Sequence, residues 1–298
     1  MGIELQTVKL LLAAKAAGVD FGDTLTIGRQ DLLISPSDMG AALASFGDPV
    51  SAEEAEALSG QENRFSDALF RRLGARQVDS LDISDFEGAT LVHDLNQPLP
   101  AEMGTRFSTV FDGGTLEHVF NCSSALANYM ALPRVGGHLI IAVPSNNEMG
   151  HGFYQFSPEL FFRTLSSENG YRIRDVFLVP MFLDADWLRA RDPATAGRRV
   201  GYNAPRRSTY LFVIAQRVSD VPIFANTPQQ SDYSAEWAKK GATPDIQGHR
   251  IGGGWKTQLL GRLPQGLRMK LLDIRAAQVS ADPAVLTPFV PGQDRLAD

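Results

Sequence analysis

Residues 107–144 constrain the fold more than any other part of the chain. A short apolar run, FSTVF from Phe107 to Phe111, stops at Asp112-Gly113-Gly114. An amphipathic segment of one helix's length follows. Gly136-Gly137 then leads into a second, more continuous apolar run, HLIIAV, which ends at Pro144. Two β-prone runs joined by a helix make a βαβ unit, with parallel strands and helices on the sheet faces. In open sheets of this kind ligands bind beyond the carboxyl ends of strands, so the Asp112-Gly113-Gly114 loop is a candidate site.

The same alternation runs through most of the chain. Helical spacing from Ile3 to Ala17 predicts an amphipathic helix ended by Gly18, and TLTIG (Thr24 to Gly28) reads as a short strand. Residues 37–73 read as helical pieces, interrupted at Gly47-Asp48-Pro49, with Ser51 and Glu54 forming a capping box and Gly74 a stop. Strands are expected over 77–84 and 89–96, a helix over 123–132, and a helix from Ser157 (N-cap) and Pro158 to Gly170. Two strand-like runs, YRIRDVFLVP and STYLFVIAQRV, follow, separated by an Arg-rich connection. The fold class is therefore α/β, a doubly wound and mainly parallel Rossmann-like sheet. Because two strands come last in succession, the final one is expected antiparallel at an edge. Residues 1–218 form this domain. Residues 219–298, with Gly252-Gly253-Gly254 and one amphipathic segment from Trp255 to Leu272, are expected to be a partly irregular C-terminal extension.

Composition removes several function classes. A net charge of -6 over 298 residues argues against general nucleic-acid binding. Cys122 is the single cysteine, which excludes an intramolecular disulfide and a cysteine-zinc cluster and is read as a small buried hydrophobe. No His/Asp/Glu group shows ligand spacing, so no metal is expected. The absence of GxGxxG after the first strand, and of any Tyr-x-x-x-Lys pair, argues against an NAD-dependent oxidoreductase. No signal peptide and no membrane span are read, which leads to the expectation of a soluble, cytoplasmic protein.

Five segments in order carry a resemblance: TLTIGRQD, VDSLDIS, HDLNQPLP, FSTVFDGGTLEHV and Pro133-Arg134-Val135-Gly136-Gly137. From Thr24 to about Val218 they resemble class I S-adenosylmethionine (SAM) dependent methyltransferases. The resemblance implies a seven-stranded sheet with an antiparallel final strand, and SAM as cofactor. It places Gly28, Arg29 and Gln30 in the first cofactor loop and Asp82 on the ribose hydroxyls, with Asp79 as the near alternative. Asp94 with Leu95 falls at the adenine, and Asp112 with Gly113 at the methionine moiety. The chain departs from the pattern in the first loop, where Thr26 stands for an acid and Gly28 is alone. Arg29 there either pairs with the SAM carboxylate or fills the pocket. The crossover between the second and third strands is also too short for a full helix. NNEMGHGFYQFSPELFF is similar to methyltransferase-like proteins associated with bacterial polysaccharide and glycan gene clusters.

Methyl transfer to a hydroxyl needs alignment and usually a general base, which histidine supplies near neutral pH. His151, beyond the fifth strand, and His118, after the fourth, are the candidate catalytic residues; His93 reads as structural. Phe153, Tyr154 and Phe156 either wall an acceptor site or pack the following helix. The arginines at 189, 191, 198, 199, 206 and 207 form either a solvated connection or a site for a phosphorylated acceptor. The expected function is SAM-dependent O-methylation of a sugar, glycan precursor or other small molecule. The alternative is a non-catalytic methyltransferase-like scaffold or regulatory protein with a degenerate cofactor loop. A homo-oligomer, or a protein partner through the C-terminal extension, is left open.

Overall fold

The computed structural model describes residues 2–59, 64–181, 185–203, 207–234 and 280–297. The Trp255–Leu272 segment, the glycine run at 252–254 and Arg206 lie outside them. After β1 (Gly2–Ile3), the Glu4 carboxylate caps α1 (Leu5–Ala16) by accepting from the Thr7 N–H at 2.9 Å. The α1 helix is not half-exposed as its spacing suggests: from Gln6 to Ala14 only Lys9 escapes burial. It is a core helix, apolar on nearly every side. Strand β2 (Asp23–Ile27) ends at Gly28, and β3 (Asp31–Leu32) turns back to pair in parallel with β1.

The helical pieces are α2 (Pro36–Ser45), α3 (Ala52–Leu58) and α4 (Asp67–Leu73). The capping box of α3 forms as its sequence predicts, with the Glu54 N–H donating to Ser51 Oγ at 3.2 Å and the Ser51 N–H to Glu54 Oε2 at 3.3 Å. Gly74, at φ 109°, ends α4. Strands β4 (Gln77–Asp82) and β5 (Leu91–Val92) follow with no helix between them, the abbreviated crossover expected. Next come β6 (Phe107–Asp112), a 3-10 turn at Leu116–His118, α5 (Cys122–Ala131) and β7 (Pro133–Asn146). The chain continues through α6 (Pro158–Thr164), β8 (Tyr171–Pro180), β9 (Trp187–Ala190), α7 (Pro193–Ala196), β10 (Tyr202–Asn203) and β11 (Thr209–Arg217). Among the described residues it closes with β12 (Ser280–Ala281) and β13 (Leu286–Phe289).

Strand order in the main sheet is β13-β9-β8-β11-β7-β6-β2-β4-β5. Pairings among β5, β4, β2, β6 and β7 are parallel; β11 runs antiparallel to both β7 and β8. Seven of these strands make the mainly parallel sheet that the resemblance implies. The final strand of the seven does not take the edge, however. It inserts between β7 and β8, and its continuous apolar run from Leu211 to Ala215 is buried on both faces. The antiparallel edge is instead made by β9 and β13, the latter from the partly irregular extension expected after residue 218. One face packs Phe111, Ile140, Phe212 and Ile214 against α1, α2 and α4. The other packs Val110, Leu139, Ile141 and Val213 against α5 and Phe161. No helix among the described residues is long and apolar enough to cross a membrane.

Candidate active site

The sheet order reverses between β2 and β6, since β4 and β5 add on one side and β7 on the other. Such a reversal opens a crevice at the carboxyl ends of the strands. A cavity of about 270 Å³ lies there, lined by Gly28, Asp82, Ile83, Asp94, Leu95, Thr115 and His118 among others. Gly28 takes φ 71° and donates its N–H to Leu81 O at 2.7 Å, so the chain turns sharply at the crevice without a side chain. Asp82 accepts from the Ile83 N–H through Oδ1 at 2.6 Å. Asp94 Oδ1 accepts from the backbone and side-chain amides of Asn96, which hold its carboxyl below the usual range. Both residues line the one cavity, and the second oxygen of each carboxylate has no hydrogen-bond partner among the described residues.

Arg29 and Gln30 do not line this cavity. Beyond Gly28 the loop carries Arg29 outward, where its guanidinium pairs with Asp67 at 3.1 Å, donates to Gly88 O and stacks 4.1 Å above the Phe65 ring. Gln30 turns inward, is almost wholly buried and donates to Ile27 O at 2.6 Å. Its amide also crowds Gly113, where a Cβ would stand 2.4 Å from Gln30 Oε1. The bulk that makes this loop look obstructed is therefore directed away from the crevice.

Asp112 is likewise not a ligand-facing group. It is fully buried, and its carboxylate accepts from the N–H groups of Gly114, Thr115 and Leu116 at 3.1, 2.7 and 3.2 Å. It is the cap of the turn that carries Glu117 and His118. Gly113 lines a second cavity of about 250 Å³, with Gly114, Glu117, His151, Tyr210 and Glu4. His118 lines the first cavity and His151 the second, and their rings meet edge to face with centroids 4.9 Å apart.

Glu117 lies between them, its side chain fully buried. His151 Nε2 stands 3.4 Å and His118 Nε2 3.9 Å from Glu117 Oε1. Burial, reinforced by the Asp112 charge, pushes the Glu117 carboxyl up to about 8. Asp112 is supported by three N–H donors, so of the two acids Glu117 holds the proton. Burial and the facing His151 lower the His118 imidazole. These three donor groups lie within 4.8 Å of one another, a cluster that linear spacing does not reveal. Glu117 stands within Leu116-Glu117-His118-Val119, where nothing local marks it as buried. The signal that joins it to His151 is Gly152, at φ 77°, where a Cβ would stand 2.8 Å from Glu117 O. That close approach lets the Phe153 N–H donate to Glu117 O at 2.7 Å.

The aromatic candidates separate. Phe156 is core and packs against Phe161, Tyr154 donates its hydroxyl to Phe120 O at 2.6 Å, and Phe153 is left exposed beside Phe120. His93 Nε2 sits 3.2 Å from Gln97 O at the rim of the first cavity. Arg189, Arg191 and Arg198 line neither cavity and instead hold the returning segment through Arg295 O, Ala284 O and Asp282.

No protein-family model matches the chain, and no curated protein does. Among solved structures it aligns with 1,6-didemethyltoxoflavin-N1-methyltransferase of Burkholderia thailandensis, crystallised with 1,6-didemethyltoxoflavin and S-adenosylhomocysteine. Identity is 15% and the TM-score 0.38, over 72% of this chain and 81% of that one. Geranyl diphosphate methyltransferase in complex with SAM aligns at 11% identity and a TM-score of 0.37, over 72% of this chain and 85% of that one. The branched-chain polyamine synthase of Thermus thermophilus, in complex with N4-aminopropylspermidine and 5′-methylthioadenosine, aligns at 16% identity and a TM-score of 0.35. That alignment spans 76% of this chain and 61% of the synthase.

Proposed function

We propose that the chain is a SAM-dependent methyltransferase acting on a small molecule. The observation that carries this reading is the shared crevice, where a bare glycine turn and two part-free carboxylates converge at the switch point of the sheet. These residues fit the group: Gly28 admits close backbone approach, Asp82 accepts from ribose hydroxyls, and Asp94 accepts from the adenine amino group beside Leu95. SAM, when bound, supplies a sulfonium methyl group for in-line displacement. The depleted glycine loop, which motivates a non-catalytic scaffold, leaves the crevice open because Arg29 is tied to Asp67.

The acceptor belongs in the second cavity, next to Glu117 and His151. His151 receives the acceptor's proton there, at the opening beside the buried Glu117. A proton acceptor at this position supports O-directed transfer to a hydroxyl, for which a sugar or glycan precursor in polysaccharide biosynthesis is the proposed class. Residues 219–298 are proposed to serve the 1–218 domain as a covering or partner-binding segment, and the cytoplasm is the proposed location. Calorimetric titration with SAM and S-adenosylhomocysteine tests the reading. Micromolar binding is expected, weakened about tenfold or more in Asp82→Ala; no binding by the folded chain rejects it, and unchanged affinity in the variant rejects the site.

A further inference from the structure

Glu117 presents a fully buried carboxyl to two imidazoles, yet neither of its oxygens is hydrogen-bonded by a described residue. Burying such a group without donors is costly, so some partner is called for. The available neighbours are His151 Nε2 at 3.4 Å and His118 Nε2 at 3.9 Å. In a tetrahedral site with ligand bonds of ~2.1 Å, neighbouring donors stand about 3.4 Å apart. The Glu117–His151 separation already matches that spacing, the Glu117–His118 separation exceeds it by about half an ångström, and all three donor atoms lie within 4.8 Å of one another. Its scaffold is fixed: Asp112 caps the turn bearing Glu117 and His118, and the Phe153 N–H pins the His151 loop to Glu117 O.

We infer that Glu117, His118 and His151 form a binding site for a divalent transition-metal ion of the zinc or iron(II) type. Two imidazoles and one carboxylate suit these ions, and three protein ligands leave positions open for water or a substrate oxygen. The open side is the cavity of about 250 Å³ that Gly113, Gly114 and Tyr210 also line. An ion there satisfies the carboxylate oxygens that the protein leaves bare. With the ion bound, His151 would be a ligand in place of the base; the ion would bind the acceptor's hydroxyl oxygen and make it more acidic, its proton passing to water. That role rests on the methyltransferase reading; the ion site itself does not.

The test uses the tag-free full chain, stripped with a chelator and titrated with Co²⁺ and Zn²⁺ in the absence of SAM. One ion per chain and a visible Co²⁺ d–d spectrum are expected. Affinity should fall at least about tenfold in Glu117→Gln, His118→Ala and His151→Ala. His93→Ala, whose imidazole stands with Gln97 O instead, should bind like wild type. A folded wild-type chain that takes up neither ion overturns the proposal, as do alanine variants that bind equally well. Thermal melting confirms folding of each variant; both histidines are half-exposed, so their truncation is expected to leave the fold intact. Ion uptake without S-adenosylhomocysteine binding keeps the site and removes the methyltransferase reading; cofactor binding without ion uptake does the reverse.

Discussion

Gly152 holds a conformation that side chains rarely adopt, and its missing Cβ is what lets the His151 loop rest on Glu117 O. Gly152→Ala should therefore cost about 1–3 kcal/mol in urea unfolding and move the His151 imidazole resonances; unshifted resonances would show that the loop is not positioned by this contact. His138, on β7, reports on burial by a different route. It is nearly inaccessible, both ring nitrogens lack a partner among the described residues, and burial lowers its pKa to about 4. Arg174 and Arg172 push in the same direction, while Asp20 opposes them. The unfolded imidazole titrates at the ordinary 6.5, so the folded chain binds fewer protons between the two values. The associated stability is complete above the unfolded pKa and is lost as pH falls through the folded one. Between about pH 7.5 and about pH 4.5, wild type should lose about 2 kcal/mol more than His138→Leu. Parallel pH profiles for the two proteins would mean that His138 is charged or bonded in the fold.

The loop after β2 shows how far element-level reading of the sequence reaches. Strand, turn and the position of Gly28 are legible, because apolar runs and glycines announce themselves locally. The direction of Arg29 is not, since it depends on Phe65, Asp67 and Gly88, which the chain delivers from elsewhere. Arg29→Ala should accordingly change S-adenosylhomocysteine affinity by less than about threefold, where Asp82→Ala costs about tenfold or more. A comparable loss in Arg29→Ala would place the guanidinium in the cofactor site after all. The same limit explains the other elements. The capping box of α3 and the stop at Gly74 are local chemistry and appear where the sequence puts them. The position of β11 is decided by pairing with strands on both sides, and a continuous apolar run does not say whether one neighbour or two awaits it. The Glu117–His118–His151 cluster joins residues 33 and 34 positions apart, and only the folded loop brings them together.

At the scale of the molecule, the sheet does not stop with its seven-stranded core. Strand β9, the short Trp187–Ala190 segment, adds to β8, and β13 returns across about a hundred residues of chain to close the edge. Nothing local in LTPF foretells this; the partner residues are aromatic and distant. Phe289 packs with its ring centroid 4.6 Å from Phe177 and 5.7 Å from Trp187, the latter held by a hydrogen bond from its indole N–H to Gln6 Oε1 at 2.7 Å. The end of the chain is thereby tied to α1 near its beginning, over the same core face that supports the second cavity. Arg189 strengthens the tie by pairing with Asp175 at 2.7 Å and lying over the Phe289 ring. Removing a fully buried phenyl ring from such a cluster costs about 3–5 kcal/mol in transfer and cavity terms. Phe289→Ala should lose stability on that scale in urea unfolding. The solvent-exposed Phe153→Ala should lose well under about 1 kcal/mol. Equal, small losses in both would mean that β13 only rests against the edge and that the domain is complete without it. A large loss confined to Phe289→Ala makes the returning segment part of the folding unit, so that the stability of the cavity face depends on a strand beyond residue 218.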